Sequence, residues 1–320
     1  MSFKVLIPQD ITDAGKDFLR EHGYEIKMGL GITVEQIAKD VEDCDAILAR
    51  TAPFPAEVIE AGKKLKVIAR HGVGVDNIDV KRATELGIWV TNAPESNANS
   101  VAEHTIGLII ACARNMVRCD KEFRNGNFEI RNQLKGFDLA GKTLAVVGTG
   151  RIGSMVAKKA TLGLDMKVIG YDPYVTQDKV IPEIELVNDW EYIFKNADFI
   201  SLHMPATSKT KGIVGAKEFE MMKSTAYLIN AARGEVVDEA ALIEALQQNK
   251  IAGAGLDVFE QEPPAKDNPL FALDNVILTP HNAALTYEAM DRMGLHAAMG
   301  IHDVLSGKKP KWPVNEPVIK

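Results

Sequence analysis

The chain has 320 residues, 46% hydrophobic and 25% charged, enough apolar material for two cores of ordinary domain size and too much for a disordered chain. Its 44 acids and 37 bases leave a net charge of −7, and no basic block is long enough to track a phosphate backbone, which argues against nucleic acid as a main partner. The three cysteines, Cys44, Cys112 and Cys119, form neither a CxxC pair nor a disulfide framework and read as thiols of a reduced, cytoplasmic chain.

The opening run, residues 1–8, is too short an apolar stretch for a signal peptide. Segments 4–8, 46–49, 66–69 and 88–91 read as buried strands, with helical segments such as 33–39 between them. That alternation implies a parallel sheet covered by helices on both faces. After the Asn97–Ser100 cluster, one long helix is expected from Val101 to about Cys119. Its middle, 106–111, is apolar nearly all round, so it should be buried on more than one side, joining domains or packing between subunits. Its most apolar part, 105–113, is about half the length that crosses a bilayer, and no membrane anchor is expected. A turn at 124–127 leads into polar, irregular sequence up to Gly141.

A second α/β series begins at Lys142, with strands expected at 143–147, 167–171, 199–203, 226–230, 253–258 and 275–279. Six strands separated by helices make a doubly wound sheet. The last 30 residues read as a helix through Ser306 and a Lys/Pro tail, with no further domain expected beyond it.

Gly148-Thr149-Gly150-Arg151-Ile152-Gly153 fits G-x-G-x-x-G. The pattern alone is weak, but here it follows a strand, opens a helical stretch at 154–162, and precedes an acid, Asp172, by 19 residues. Gly148 permits the tight turn, Gly150 lets a pyrophosphate approach the backbone, and Gly153 lets helix and strand pack closely. Asp172 can accept hydrogen bonds from ribose hydroxyls and repel a 2′-phosphate, which favours NAD over NADP.

Arg233, Glu262 and His281 each follow a strand of this series, at the edge where open α/β sheets bind ligands. Their types suit hydride transfer at an oxygen-bearing carbon beside a carboxylate. Histidine exchanges the proton, a neighbouring carboxylate orients it and raises its pKa, and a guanidinium forks onto the substrate carboxylate. No spacing suggests a metal site.

The segments 148–153, Asn230-Ala231-Ala232-Arg233-Gly234, 255–259 and Thr279-Pro280-His281 resemble the signatures of the D-2-hydroxyacid dehydrogenase family, as do 71–79 and 100–103. The likeness runs in order along nearly the whole chain. Within the family it is nearest the branch acting on 3-phosphoglycerate, in a short form without a regulatory domain. The resemblance implies a catalytic set of Arg233, Glu262 and His281. It implies a flavodoxin-like substrate domain from 1–98 and 288–320, a Rossmann NAD domain from 99–287, and an active site in the cleft. It implies NAD contacts from Gly148, Gly150, Arg151, Ile152, Gly153, Asp172, Met204, Ala231, Ala232, Arg233, Asp257 and His281. Val73 and Gly74 would offer backbone N–H groups to the substrate carboxylate, Arg50 and Arg70 would face a substrate phosphate, and a homodimer would form through the NAD domain.

One departure stands at His281-Asn282-Ala283-Ala284, where the family usually has Gly-Gly or Gly-Ala after the residue following its His. Formate dehydrogenases of similar pattern carry Gln beside the His, so Glu262 favours a hydroxy acid. Two alternatives stay open: a reductase of unphosphorylated keto acids such as glyoxylate or hydroxypyruvate, and an NAD-responsive binding module without turnover.

Overall fold

Aliphatic and β-branched residues concentrate in short runs that pair side by side in two separate sheets, parallel throughout. The computed structural model describes residues 2–318. One unit comprises Met1–Asn97 with Ala284–Lys320, the other Ala98–Ala283.

In the first unit the chain runs β1 (Lys4–Ile7), α1 (Asp13–Glu21), β2 (Glu25–Met28), α2 (Val34–Val41), β3 (Ala46–Ala49), α3 (Ala56–Ala61), β4 (Val67–Arg70), α4 (Val80–Glu85) and β5 (Trp89–Thr91). The strand order is β2-β1-β3-β4-β5, the flavodoxin-like order. Alternate residues of each strand feed opposite faces: Leu6 and Ile47 enter one core, Val5, Ile7 and Leu48 the other. Strand β2 escapes sequence reading because its Glu-Ile-Lys-Met is an edge strand without an apolar run.

In the second unit follow α5 (Ala98–Ala113), α6 (Met116–Arg124), α7 (Ile130–Gln133), β6 (Thr143–Val147), α8 (Arg151–Leu164), β7 (Lys167–Tyr171), β8 (Glu185–Leu186), α9 (Trp190–Asn196), β9 (Phe199–Leu202), α10 (Ala216–Met221), β10 (Tyr227–Asn230), α11 (Glu239–Gln247), β11 (Gly253–Leu256) and β12 (Val276–Leu278). The sheet has seven strands rather than six, ordered β12-β11-β10-β9-β6-β7-β8; the addition is the two-residue edge strand β8.

The single long helix expected after Ser100 is two. It begins earlier, at Ala98, and breaks at Asn115, whose φ of 51° is the left-handed conformation that Asn tolerates better than most residues. Most of the apolar residues of α5 are buried against α8, β10 and β11 of its own unit. A cluster of exposed apolar side chains stands instead on α6 and just beyond it, Met116, Val117, Phe123 and Phe128, while others of the unit, such as Leu162 and Phe271, are exposed elsewhere.

The chain then returns to the first unit as α12 (Tyr287–Leu305), which packs on α1 and on β3, β4 and β5. The segment after it is more than a tail. Thr91 bridges Pro313 antiparallel, and Val314 N–H donates to Val90 O at 2.8 Å. Asn315 accepts from Val90 N–H at 2.7 Å and donates to Thr84 Oγ1 and Ile88 O at 2.8 and 2.9 Å. Asn315→Ala strands these part-buried groups, so the first unit should lose about 1–3 kcal/mol. Denaturant unfolding with an unchanged midpoint would contradict that role for Asn315.

Candidate active site

Strands β6 and β9 are neighbours from which the chain winds outward in opposite directions, so the crevice beyond their carboxyl ends is the switch point where doubly wound sheets take ligands. Gly148 stands there with φ 93°, its N–H donating to Tyr171 O at 2.8 Å. A Cβ on it would lie 2.8 Å from His203 O and 3.2 Å from Met204 N, so only glycine fits. A Cβ on Gly153 would lie 2.1 Å from Gly148 O, which explains the third glycine by packing. The second is different: a Cβ on Gly150 would meet nothing within 4 Å. No internal contact demands glycine at 150, and open space lies beside the first turn of α8, which Arg151 and Ile152 begin and whose N–H groups suit an anion.

Asp172, just past β7, closes the turn from the side. Its Oδ2 accepts from Thr149 N–H at 3.1 Å and Thr149 Oγ1 at 3.3 Å, and its Oδ1 from Tyr174 N–H at 3.0 Å. Ala231 and Ala232 follow β10, where Ala232 N–H donates to Asn230 Oδ1 at 3.1 Å. A bare turn, a helix N-terminus with open space beside it and an acid next to it fit a dinucleotide.

Three further side chains gather from separate loops of this unit. Arg233 follows β10, with its Nη1 donating to Ala232 O at 2.7 Å. A Cβ on Gly234 would fall 1.9 Å from the Phe259 backbone, so the segment after Arg233 lies directly against the one leading to Glu262. Glu262 Oε1 accepts from Phe259 N–H at 3.1 Å, and its Oε2 lies 2.6 Å from His281 Nδ1. A carboxylate only accepts, so Nδ1 carries the proton and Nε2 is left to exchange one.

The electrostatics follow the geometry. The Glu262 hydrogen bond raises the His281 pKa against the opposing effect of burial, helped by the charges of Glu262 and Asp257 and opposed by Arg233. Burial pushes Glu262 up, but His281, Phe259 N–H and Arg233 together bring it below the ordinary glutamate value. His281 itself has φ 50°, an uncommon conformation for a residue other than glycine. Its N–H donates to Asp257 O at 2.8 Å and Thr279 O at 3.1 Å.

Asp257, expected to contact NAD, is fully buried, and its carboxylate faces the 279–283 loop rather than solvent. It accepts from Thr279 Oγ1 at 2.6 Å, Asn282 N–H at 3.0 Å and Ala283 N–H at 2.9 Å. Two polar residues not singled out as site groups from the sequence join it. Thr279 supplies the hydroxyl, and His104 on α5 brings its Nε2 to 3.0 Å from that hydroxyl. Only the motif neighbourhoods of 100–103 and 281 hinted at them.

In the first unit, Arg50 and Arg70 stand at the carboxyl ends of the adjacent strands β3 and β4. Arg50 Nη1 donates to Asp10 O at 2.5 Å; Arg70 Nε donates to Gly74 O at 2.8 Å and its Nη1 to His71 O. Asn92 Nδ2 donates to Val73 O at 2.8 Å. The carbonyls of Val73 and Gly74 are thus held, while among the described residues their N–H groups have no acceptor, an arrangement that suits an anion. Among the described residues no helix is long and apolar enough to cross a membrane.

If Glu262 sets the state of His281, an NMR titration of its ring should show a midpoint above that of an ordinary histidine, falling in Glu262→Gln. A midpoint indifferent to that substitution would break the pairing.

Comparison with known proteins agrees with this geometry. Residues 106–283 match the D-isomer specific 2-hydroxyacid dehydrogenase NAD-binding domain. The D-3-phosphoglycerate dehydrogenase of Methanocaldococcus jannaschii is 45% identical over 318 residues, covering 99% of this chain but 60% of that protein. The chain therefore spans less than two thirds of that relative's length. The glyoxylate reductase of Korarchaeum cryptofilum is 39% identical over 330 residues, 100% of this chain and 98% of that one. The crystal structure of the TT0316 protein from Thermus thermophilus superposes with a TM-score of 0.91 at 36% identity, covering 98% of this chain and all of that one. The second unit is a nicotinamide-dinucleotide-binding domain, and the chain belongs to the D-isomer-specific 2-hydroxyacid dehydrogenase family.

Proposed function

We propose that this chain is an NAD-dependent oxidoreductase that interconverts a D-2-hydroxy acid and its 2-keto acid, with 3-phosphoglycerate as the leading substrate. The observation that carries the reading is the 2.6 Å contact between His281 Nδ1 and Glu262 Oε2, next to the charge of Arg233. Nicotinamide supplies the hydride when bound. His281 Nε2 gives a proton to the carbonyl oxygen during reduction and takes one from the hydroxyl during oxidation. Glu262 holds the ring and stabilises its charged form. Arg233 forks onto the substrate carboxylate and polarises the carbonyl. The first-turn N–H groups of α8, with Gly150 leaving the approach open, receive the pyrophosphate, and Asp172 receives the ribose hydroxyls and disfavours a 2′-phosphate. Met204, Ala231 and Ala232 line the same strand ends.

For the substrate, Val73 and Gly74 offer N–H groups to a carboxylate, and Arg50 and Arg70 offer two cations to a phosphate. The reading that competes is an unphosphorylated acid such as glyoxylate or hydroxypyruvate. It is favoured by the hydrogen bonds Arg70 spends on its own loop and by the glyoxylate reductase likeness along nearly that whole protein. We also propose a cytoplasmic homodimer. Met116, Val117, Phe123 and Phe128, 49–60% exposed, give the NAD-binding unit an apolar face that a second copy would cover.

Loss of NADH absorbance with a panel of 2-keto acids tests the reaction. His281→Ala should lower kcat by roughly 100- to 10,000-fold. A protein that binds NADH but turns over no keto acid would be a binding module instead. Replacing Arg50 and Arg70 together by Met should cut kcat/KM for a phosphorylated acid roughly tenfold more than for glyoxylate. Equal losses would favour the unphosphorylated substrate. Asp172→Ser should raise the use of NADPH relative to NADH, and an unaltered ratio would remove Asp172 from cofactor choice.

A further inference from the structure

We infer that His104 is a positioning residue for His281, acting through the Thr279 hydroxyl and the buried Asp257 carboxylate. The inference rests on the reading in which His281 exchanges the substrate proton.

The Thr279 hydroxyl has one proton and two acceptors within reach: Asp257 Oδ1 at 2.6 Å and Leu256 O at 3.4 Å. The shorter contact takes the proton. The hydroxyl oxygen then faces His104 Nε2 at 3.0 Å as an acceptor, so that nitrogen carries a hydrogen. A donor on that side occupies the lone pair and keeps the hydroxyl turned to Asp257. His104 Nε2 also lies 3.6 Å from Asp257 Oδ1, close enough to add an electrostatic hold without a second hydrogen bond.

Asp257 is where the chain of contacts meets the catalytic loop. Its side chain is 1% exposed, so water cannot replace a lost donor, and an under-satisfied carboxylate there is costly. Its oxygens hold Asn282 and Ala283 N–H, and its backbone carbonyl holds His281 N–H. Those bonds keep His281 at its uncommon φ of 50° with Nδ1 on Glu262. A helix packed beside the sheet thus fixes a loop beyond its edge. Among the described residues, the charged groups acting on His281 are Glu262, Asp257 and Arg233, and His104 reaches it through Asp257.

Ring titration of His281 in the protein without cofactor tests this independently of turnover, with kcat measured in parallel. His104→Leu and Thr279→Val should each lower the His281 midpoint toward that of an ordinary histidine and cut kcat roughly tenfold. The double variant should lose little more than either alone, because both remove the same link. His104→Gln, which restores a donor, and Thr279→Ser, which keeps the hydroxyl, should stay near wild type, and they serve if the apolar variants fold poorly. A midpoint unmoved in both apolar variants, losses that add in the double variant, or His104→Gln as impaired as His104→Leu would overturn the inference. Wild-type protein without turnover would instead refute the catalytic reading and leave the titration result standing.

Discussion

A fully buried carboxylate cannot be left to water, and that constraint organises the end of the NAD-binding unit that carries His281. Asp257 satisfies its charge with a hydroxyl and two backbone N–H groups, all from the segment that carries His281. The outcome is a loop whose path is decided by the core rather than by its own preferences, as the positive φ of His281 records. The ring then has one place to go, against Glu262, and the pair's charges follow from that placement. The usual small residues after the family's His are Ala283-Ala284 here, yet Ala283 makes its N–H bond to Asp257.

The cofactor end depends on a different economy of space. Two of its three glycines are demanded by neighbouring backbone, and Gly150 is not. A position kept bare without an internal reason, beside the first turn of a helix and an acid held at the next strand end, is what a pyrophosphate and ribose need. The same strand order that creates the switch point also sets Arg233, Glu262 and His281 at the carboxyl edge. Fold and chemistry are therefore linked through topology: the sheet has one edge that can do this work, and its loops carry the polar groups.

Much of this was legible in the residues. Buried parallel strands announce themselves as unbroken aliphatic runs, so β1, β3, β4, β6, β7, β9 and β10 were readable, whereas the edge strands β2 and β8 lack such runs. The helix break at Asn115 was hidden because a polar pair continues helical spacing as readily as it ends it. The pairing of 312–315 with β5 joins residues more than 200 apart, and no local pattern reports it. At the site, Glu262 and His281 could be named by chemistry and resemblance. The inward turn of Asp257 and the part played by His104 and Thr279 depend on which way side chains point across the packing of α5 on the sheet, and residue type does not encode direction.

In the proposed reaction a proton held at His281 is exchanged with substrate oxygen. The pH dependence of kcat/KM in the two reaction directions is the test of that exchange. Reduction needs the charged ring and should fall as pH rises through the His281 pKa, while oxidation needs the neutral ring and should rise through the same value. That shared value should lie above the ordinary histidine range, as the Glu262 pairing requires. Profiles that are flat, or that move in the same direction for both reactions, would contradict it.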